Sequence, residues 1–126
     1  MRTGPLRPTL RITKAVSDLQ RLRILMMLKH GELCACQIVE VLSLAPSTVS
    51  KHLSILSDAG LVDMRKESRW AYFRLSDDPL EVSAHTMLKW LEDAIKDDPV
   101  IRQDSKKLQA ITAIDPEILC RNQRKR

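Results

Sequence analysis

The sequence predicts a mainly α chain carrying one small β-hairpin, and three observations support that class. Apolar residues recur at helical spacing: Leu22, Leu25, Met26 and Leu28, then Val49, Leu53 and Leu56, then Leu80, Ala84, Met87, Leu91 and Ala94. Two strand-like runs, Leu61–Lys66 and Trp70–Leu75, are rich in apolar and aromatic residues, alternate in part, and are separated by Glu67-Ser68-Arg69. Directly before that hairpin, the short turn Ser43-Leu44-Ala45 joins two short helices. A short helix pair followed by a hairpin is the pattern of a winged helix-turn-helix.

In chain order, residues 1–8 hold two prolines, a glycine and two arginines and read as a flexible arm. Leu10, Ile12 and Val16 suggest a first helix over 9–16. Ser17-Asp18 offers an N-cap for a second, which runs through Lys29 and stops at His30-Gly31. A third spans about Leu33 to Leu42, with Leu33, Ile38, Val41 and Leu42 inward. Pro46 suits the first position of the fourth helix, where no amide donor is needed, and Gly60 suits its end. At about 100° per residue, Ser47, Lys51, Ser54 and Asp58 point away from the stripe of Val49, Leu53 and Leu56, with Thr48 and Ser50 on the flanks.

After the hairpin, Asp78, Pro79 and Glu81 resemble a capping box. The long helix that follows carries a 4-3-4-3 seam from Leu80 to Ala94, widened by Leu88 and Ile95, suited to a core face or a dimer interface. Asp97-Asp98-Pro99 ends it and opens another helix to about Ile114; Asp115-Pro116 starts one further turn bearing Cys120. The tail from Arg121 to Arg126 is basic and reads as disordered. The expected organisation is an arm over 1–8, a DNA-binding and dimerisation domain over 9–98, and a C-terminal extension with a basic tail over 99–126.

A chain of 126 residues holds one modest core, and with 3% aromatic residues that core must be Leu, Ile, Val and Met. A net charge of +5 favours an acidic partner such as nucleic acid, though a basic surface alone identifies none. The apolar run Leu22–Leu28 is broken by Arg23 and is too short to span a membrane. The arginines at positions 2, 7 and 11 do not flank a signal-peptide core. A cytoplasmic chain with reduced thiols is therefore expected, with no membrane partner, and three cysteines leave an odd count for a closed disulfide set.

The ordered set of turn, short-polar helix, glycine stop and basic hairpin points to duplex DNA. Ser47, Thr48, Ser50, Lys51 and Ser54 are short or donor-bearing, as a helix in the major groove requires. Arg65, Lys66, Arg69 and Arg74 would hold flanking phosphates, positioning the chain without reading sequence. His52, at the edge of the apolar stripe, suits either packing or a phosphate contact. An enzyme is disfavoured: Ser50 and His52 lack an orienting acid nearby, and three glycines include no phosphate-binding loop.

Cys34 and Cys36 stand at i and i+2, about 200° apart on an ideal helix, so they cannot hold one ion without local unwinding. At a helix start, free amides and the dipole favour the thiolate. A soft ion captured there would distort the helix that supports the reader and so oppose DNA binding. Two thiols rarely complete a site, and Cys120 is the remaining candidate, from the same chain or a partner subunit. Against this, Cys34 and Cys36 could be small apolar residues and Cys120 an unrelated thiol.

From Leu19 to Leu75 the chain resembles the ArsR/SmtB family of metal-responsive winged-helix repressors. The resemblance lies in Arg21-Leu22-Arg23-Ile24-Leu25, in Glu32-Leu33-Cys34-Ala35-Cys36, in Ser47-Thr48-Val49-Ser50-Lys51-His52-Leu53 and in Trp70-Ala71-Tyr72-Phe73-Arg74-Leu75. It implies a homodimeric repressor that releases operator DNA when arsenite or antimonite, As(III) or Sb(III), binds cysteine thiolates. Where some members carry a third cysteine, this chain has Val39, which turns attention to Cys120 or to a small-molecule thiol. His85 has no partner at ligand spacing, which disfavours the zinc and nickel sites of the family. A redox or persulfide sensor using the same thiols is the nearest alternative; a winged-helix protein-interaction module is one of another class.

Overall fold

A computed structural model describes residues 4–78 and 82–125. The elements in order are α1 (Leu6–Ala15), α2 (Leu19–Leu28), β1 (Leu33–Cys34), α3 (Ala35–Leu42), α4 (Pro46–Asp58), β2 (Val62–Glu67), β3 (Trp70–Leu75), α5 (Val82–Ile95), α6 (Pro99–Thr112) and α7 (Pro116–Arg124). The expected class holds: the chain is mainly helical with a small antiparallel sheet, in the order β1-β3-β2.

Local chemistry sets the boundaries. Asp18 caps α2, its Oδ1 accepting from the Gln20 and Arg21 amides at 2.8 and 3.1 Å. Arg21 then donates to the Ala15 carbonyl at 2.7 Å, joining the end of α1 to the start of α2. Ser43 closes α3 in the left-handed region at φ 56, and Pro46 occupies the first turn of α4. Gly60, at φ 79, turns the chain from α4 into β2.

Several boundaries differ from expectation. The first helix begins at Leu6, inside the expected arm; Pro5 is its N-cap and Pro8 lies in its first turn, where amide donors have no helical acceptor. The third begins at Ala35, because Leu33 and Cys34 are extended and pair with Phe73 and Tyr72. The hairpin closes through Ser68 and Arg69 alone, with Glu67 opposite Trp70 and Ser68 at φ 58. Pro79, Leu80 and Glu81 lie outside the described residues, and with them part of the expected capping box and seam. Of that seam, Ala84 and Leu91, with Leu88 beside them, are buried, so this face belongs to the core. The basic tail is helical to Arg124 rather than disordered.

The core gathers Ile24, Leu25, Ile38, Val41, Val49, Leu53, Leu56 and Leu61, and it extends to Leu108, Ile111 and Leu119 of the last two helices. The extension beyond residue 98 therefore packs as part of the same core. Arg23 of α2 grips Asp104 of α6 through two parallel hydrogen bonds of 2.8 and 2.9 Å, with Asp104 only 3% exposed. Those bonds raise the Arg23 pKa above its ordinary value, against the opposing pull of burial. Among the described residues, no helix is long and apolar enough to cross a membrane.

Candidate functional site

The reader surface is built as its spacing requires. Val49, Leu53 and Leu56 seat α4 on the core, leaving Ser47, Thr48, Ser50, Lys51 and Ser54 exposed. Arg65, Lys66, Arg69 and Arg74 are exposed on the wing, yet three of them already hold carboxylates. Arg65 donates to Glu32 at 2.7 and 2.9 Å and to Glu67 at 2.8 Å, and its guanidinium lies 4.5 Å from the Tyr72 ring centroid. The Arg65 hydrogen bonds hold the Glu32 carboxyl below the usual carboxylate range. Arg69 pairs with Glu117 at 3.3 Å, and Arg74 lies 3.9 Å from Asp63 and 3.7 Å from Asp77. The Arg69 and Arg74 pairs are single, exposed contacts that contribute little and can exchange for another anion at small cost, whereas Arg65 is held bidentately by Glu32 and by Glu67. His52 is half-buried, with its Nδ1 3.2 Å from Arg21 Nη1 of α2.

A cleft of about 340 Å³ opens between the start of α3, the wing turn and α7, and all three cysteines line it together with Pro46, Arg69 and Trp70. Cys34 is fully buried; it ends β1 and is the N-cap of α3, with its amide donating to Gln37 Oε1 at 2.9 Å. The angular conflict expected for Cys34 and Cys36 on one helix is thus relieved, because Cys34 stands in extended backbone just outside it. Cys36 lies in the first turn, and Cys120 is buried on the inner face of α7.

Cys36 and Cys120 are joined as a disulfide across 84 residues of sequence, with their Cα atoms 5.4 Å apart, and Cys34 is left free. Fully reduced thiols were expected; the pairing arises because α7 folds back and lays Cys120 against the first turn of α3. Gln123 holds the same joint, donating to the Cys36 carbonyl at 2.8 Å and to Glu40 Oε2 at 2.9 Å. Among the described residues, no three His, Cys, Asp or Glu groups are gathered as an ion-holding set. The three sulfurs share a cleft without forming a ligand cage in this state.

Sequence reasoning missed Gln37, Trp70, Gln123 and Arg124 as parts of this region. Gln37, three residues after the cap, is the reciprocal position of a capping box and could have been found. Nothing local in the sequence reveals Gln123, whose partners lie more than eighty residues away.

Residues 18–64 match the bacterial regulatory protein, arsR family. A segment of 68 residues is 43% identical to an uncharacterized HTH-type transcriptional regulator of Methanocaldococcus jannaschii, covering 53% of this chain and 76% of that one. The chain belongs to the ArsR family. It is also 36% identical over 85 residues to an arsenic resistance transcriptional regulator of Pseudomonas putida, covering 66% of this chain and 65% of that protein's length. A homodimeric winged helix-turn-helix DNA-binding domain from Mycobacterium bovis shares the fold, with a TM-score of 0.60 at 23% identity over 75% of this chain and 92% of that one. ArsR proteins are DNA-binding transcription regulators, not enzymes, which agrees with the short-polar α4 and its wing.

Proposed function

We propose that this chain is a repressor that binds operator DNA as a homodimer and releases it when trivalent arsenic or antimony is held by cysteine thiolates. The observation that carries this reading is the gathering of Cys34, Cys36 and Cys120 on one cleft, against the first residue of the reader helix and the turn of the wing. The arsenic resistance role of a relative supports the choice of ligand.

The donor set fits a soft, three-coordinate guest. When bound, such a metalloid supplies positions for thiolate sulfur. Reduction would free Cys36, which is half-buried on the cleft, and Cys120, which is buried beside it. Cys34 joins them only if its cap on α3 opens, and because Cys34 also pairs with Tyr72, that opening loosens β3 as well. The helix supporting the reader and one strand of the wing are thus disturbed from one residue. Differential affinity of the guest for the opened state is sufficient for release.

Dimerisation has a ready surface. Val82, Thr86 and Trp90 repeat every fourth residue along α5, with Val82 65% and Trp90 63% exposed, and Leu6 and Leu10 are exposed on α1. Both are apolar faces left uncovered by a single chain.

The disulfide itself favours a second reading, a redox sensor. Two thiols and one molecule of peroxide would give the Cys36–Cys120 disulfide and two waters, with electrons passing from sulfur to peroxide oxygen. Arsenic stoichiometry on the reduced chain separates the two. One arsenic per chain, lost in a Cys36→Ser, Cys120→Ser double variant, is expected; no binding, with operator release by peroxide or polysulfide, would select the redox reading.

A further inference from the structure

We infer that α7 is an additional DNA-backbone grip, in which Arg121, Arg124 and Lys125 hold phosphates beside the reader helix and the wing. Pro116, Leu119, Cys120 and Gln123 recur at 3-1-3 spacing and turn toward the domain, with Leu119 and Cys120 buried. At about 100° per residue, Glu117, Arg121, Arg124 and Lys125 then fall within an arc of about 100° on the outer surface, and all four are exposed. The stripe holds three cations and one carboxylate, and that carboxylate is already engaged by Arg69 at 3.3 Å and Arg121 at 3.9 Å.

Its position gives the charge a partner. Glu117 reaches the wing turn through Arg69, while Arg124 lines the same cleft as Pro46, the first residue of α4. In this motif the start of the reader helix enters the major groove and the wing holds flanking backbone, so the gap between them faces phosphates. The basic stripe borders that gap. The Cys36–Cys120 disulfide and the Gln123 hydrogen bonds fix α7 against α3, so the state of the cleft sets where the stripe lies. This rests on the operator-binding reading and adds a second consequence of thiol chemistry: movement of Cys120 displaces phosphate contacts directly.

The test measures affinity and its salt dependence on two probes, a random-sequence duplex of about thirty base pairs and the promoter fragment upstream of the chain's own coding sequence. Arg121→Gln/Arg124→Gln, on an exposed helical face, should keep the fold by circular dichroism, weaken binding to both probes at least about tenfold, and flatten the log-log salt slope by about 4, two contacts being lost in each protomer of the dimer. Arg121→Lys/Arg124→Lys should retain most of the affinity. Unchanged affinity and slope in the Gln variant, while Lys51→Ala weakens promoter binding, would overturn the inference and leave the repressor reading standing. Absence of salt-sensitive binding by the unaltered chain to either probe would overturn both.

Discussion

The reader surface and the thiol cleft lie side by side but are built by opposite means. The reader is local: one helical stripe, one glycine and one two-residue turn place Ser47 to Ser54 and the wing cations, each from neighbours in sequence. The cleft is assembled from remote parts, with Cys36 and Cys120 separated by 84 residues and brought together by two further helices. Local construction seats the reader on the core through Val49, Leu53 and Leu56 of its own helix, while α3 and β3 link it to the cleft. Remote construction gives a joint whose closure depends on chemistry at sulfur. A regulator needs both, and the difference suggests that the cleft can be altered without abolishing the reader's fold.

The sharpest way to break that comparison is to cut the remote tether. In the oxidised chain, Cys36→Ser/Cys120→Ser should lose about 3 to 4 kcal/mol of stability, as expected for a disulfide closing a long loop. A denaturant titration checks this, and reductant should lower the midpoint of the unaltered chain but not of the variant. Next in size is Asp104→Ala, which strands the Arg23 guanidinium where two hydrogen bonds had satisfied it and should cost about 3 kcal/mol. Loss of less than about 1 kcal/mol in a melt would mean that α6 is dispensable to the core.

On the reader side, Lys51→Ala should weaken operator binding about tenfold, consistent with one lost base or phosphate contact, and should leave thermal stability unchanged. Equal affinity in an anisotropy titration would remove Lys51 from the interface. The smallest effect is at the α2 cap, where Asp18→Ala should cost about 1 kcal/mol. Burial pushes the Asp18 carboxyl up, but hydrogen bonding to the Arg21 amide and attraction to Arg21 outweigh it, and the net pKa is lowered. Its contribution is therefore complete at neutral pH and lost as pH falls below the ordinary carboxylate value through the lowered one. The alanine variant should show a shallower acid limb in stability against pH.

The same contrast explains what the sequence made legible. Four helices, both wing strands and the turn before α4 follow from periodicity and caps, all of which act within about one or two turns of chain. The short β1 was read as helix because Leu33 and Cys34 continue an apolar pattern; their pairing with Phe73 and Tyr72 is a tertiary effect. The tail from Arg121 was read as disordered on its charge, although Leu119 and Cys120 bury beneath it and Asp115 caps its helix. Wing cations were read only as holders of phosphate, whereas Glu32 and Glu117 reach Arg65 and Arg69 from distant elements. In the thiol site, the residues were legible as types, but their pairing was not, because no spacing rule reports which helix folds over which.

The most direct test titrates operator release with arsenite on the fully reduced chain, followed by anisotropy of a labelled operator duplex. Release from the unaltered chain is expected, with retention of the operator, at undiminished starting affinity, by Cys36→Ser/Cys120→Ser. Release of that variant at the same arsenite concentration would contradict control of the reader by the cleft.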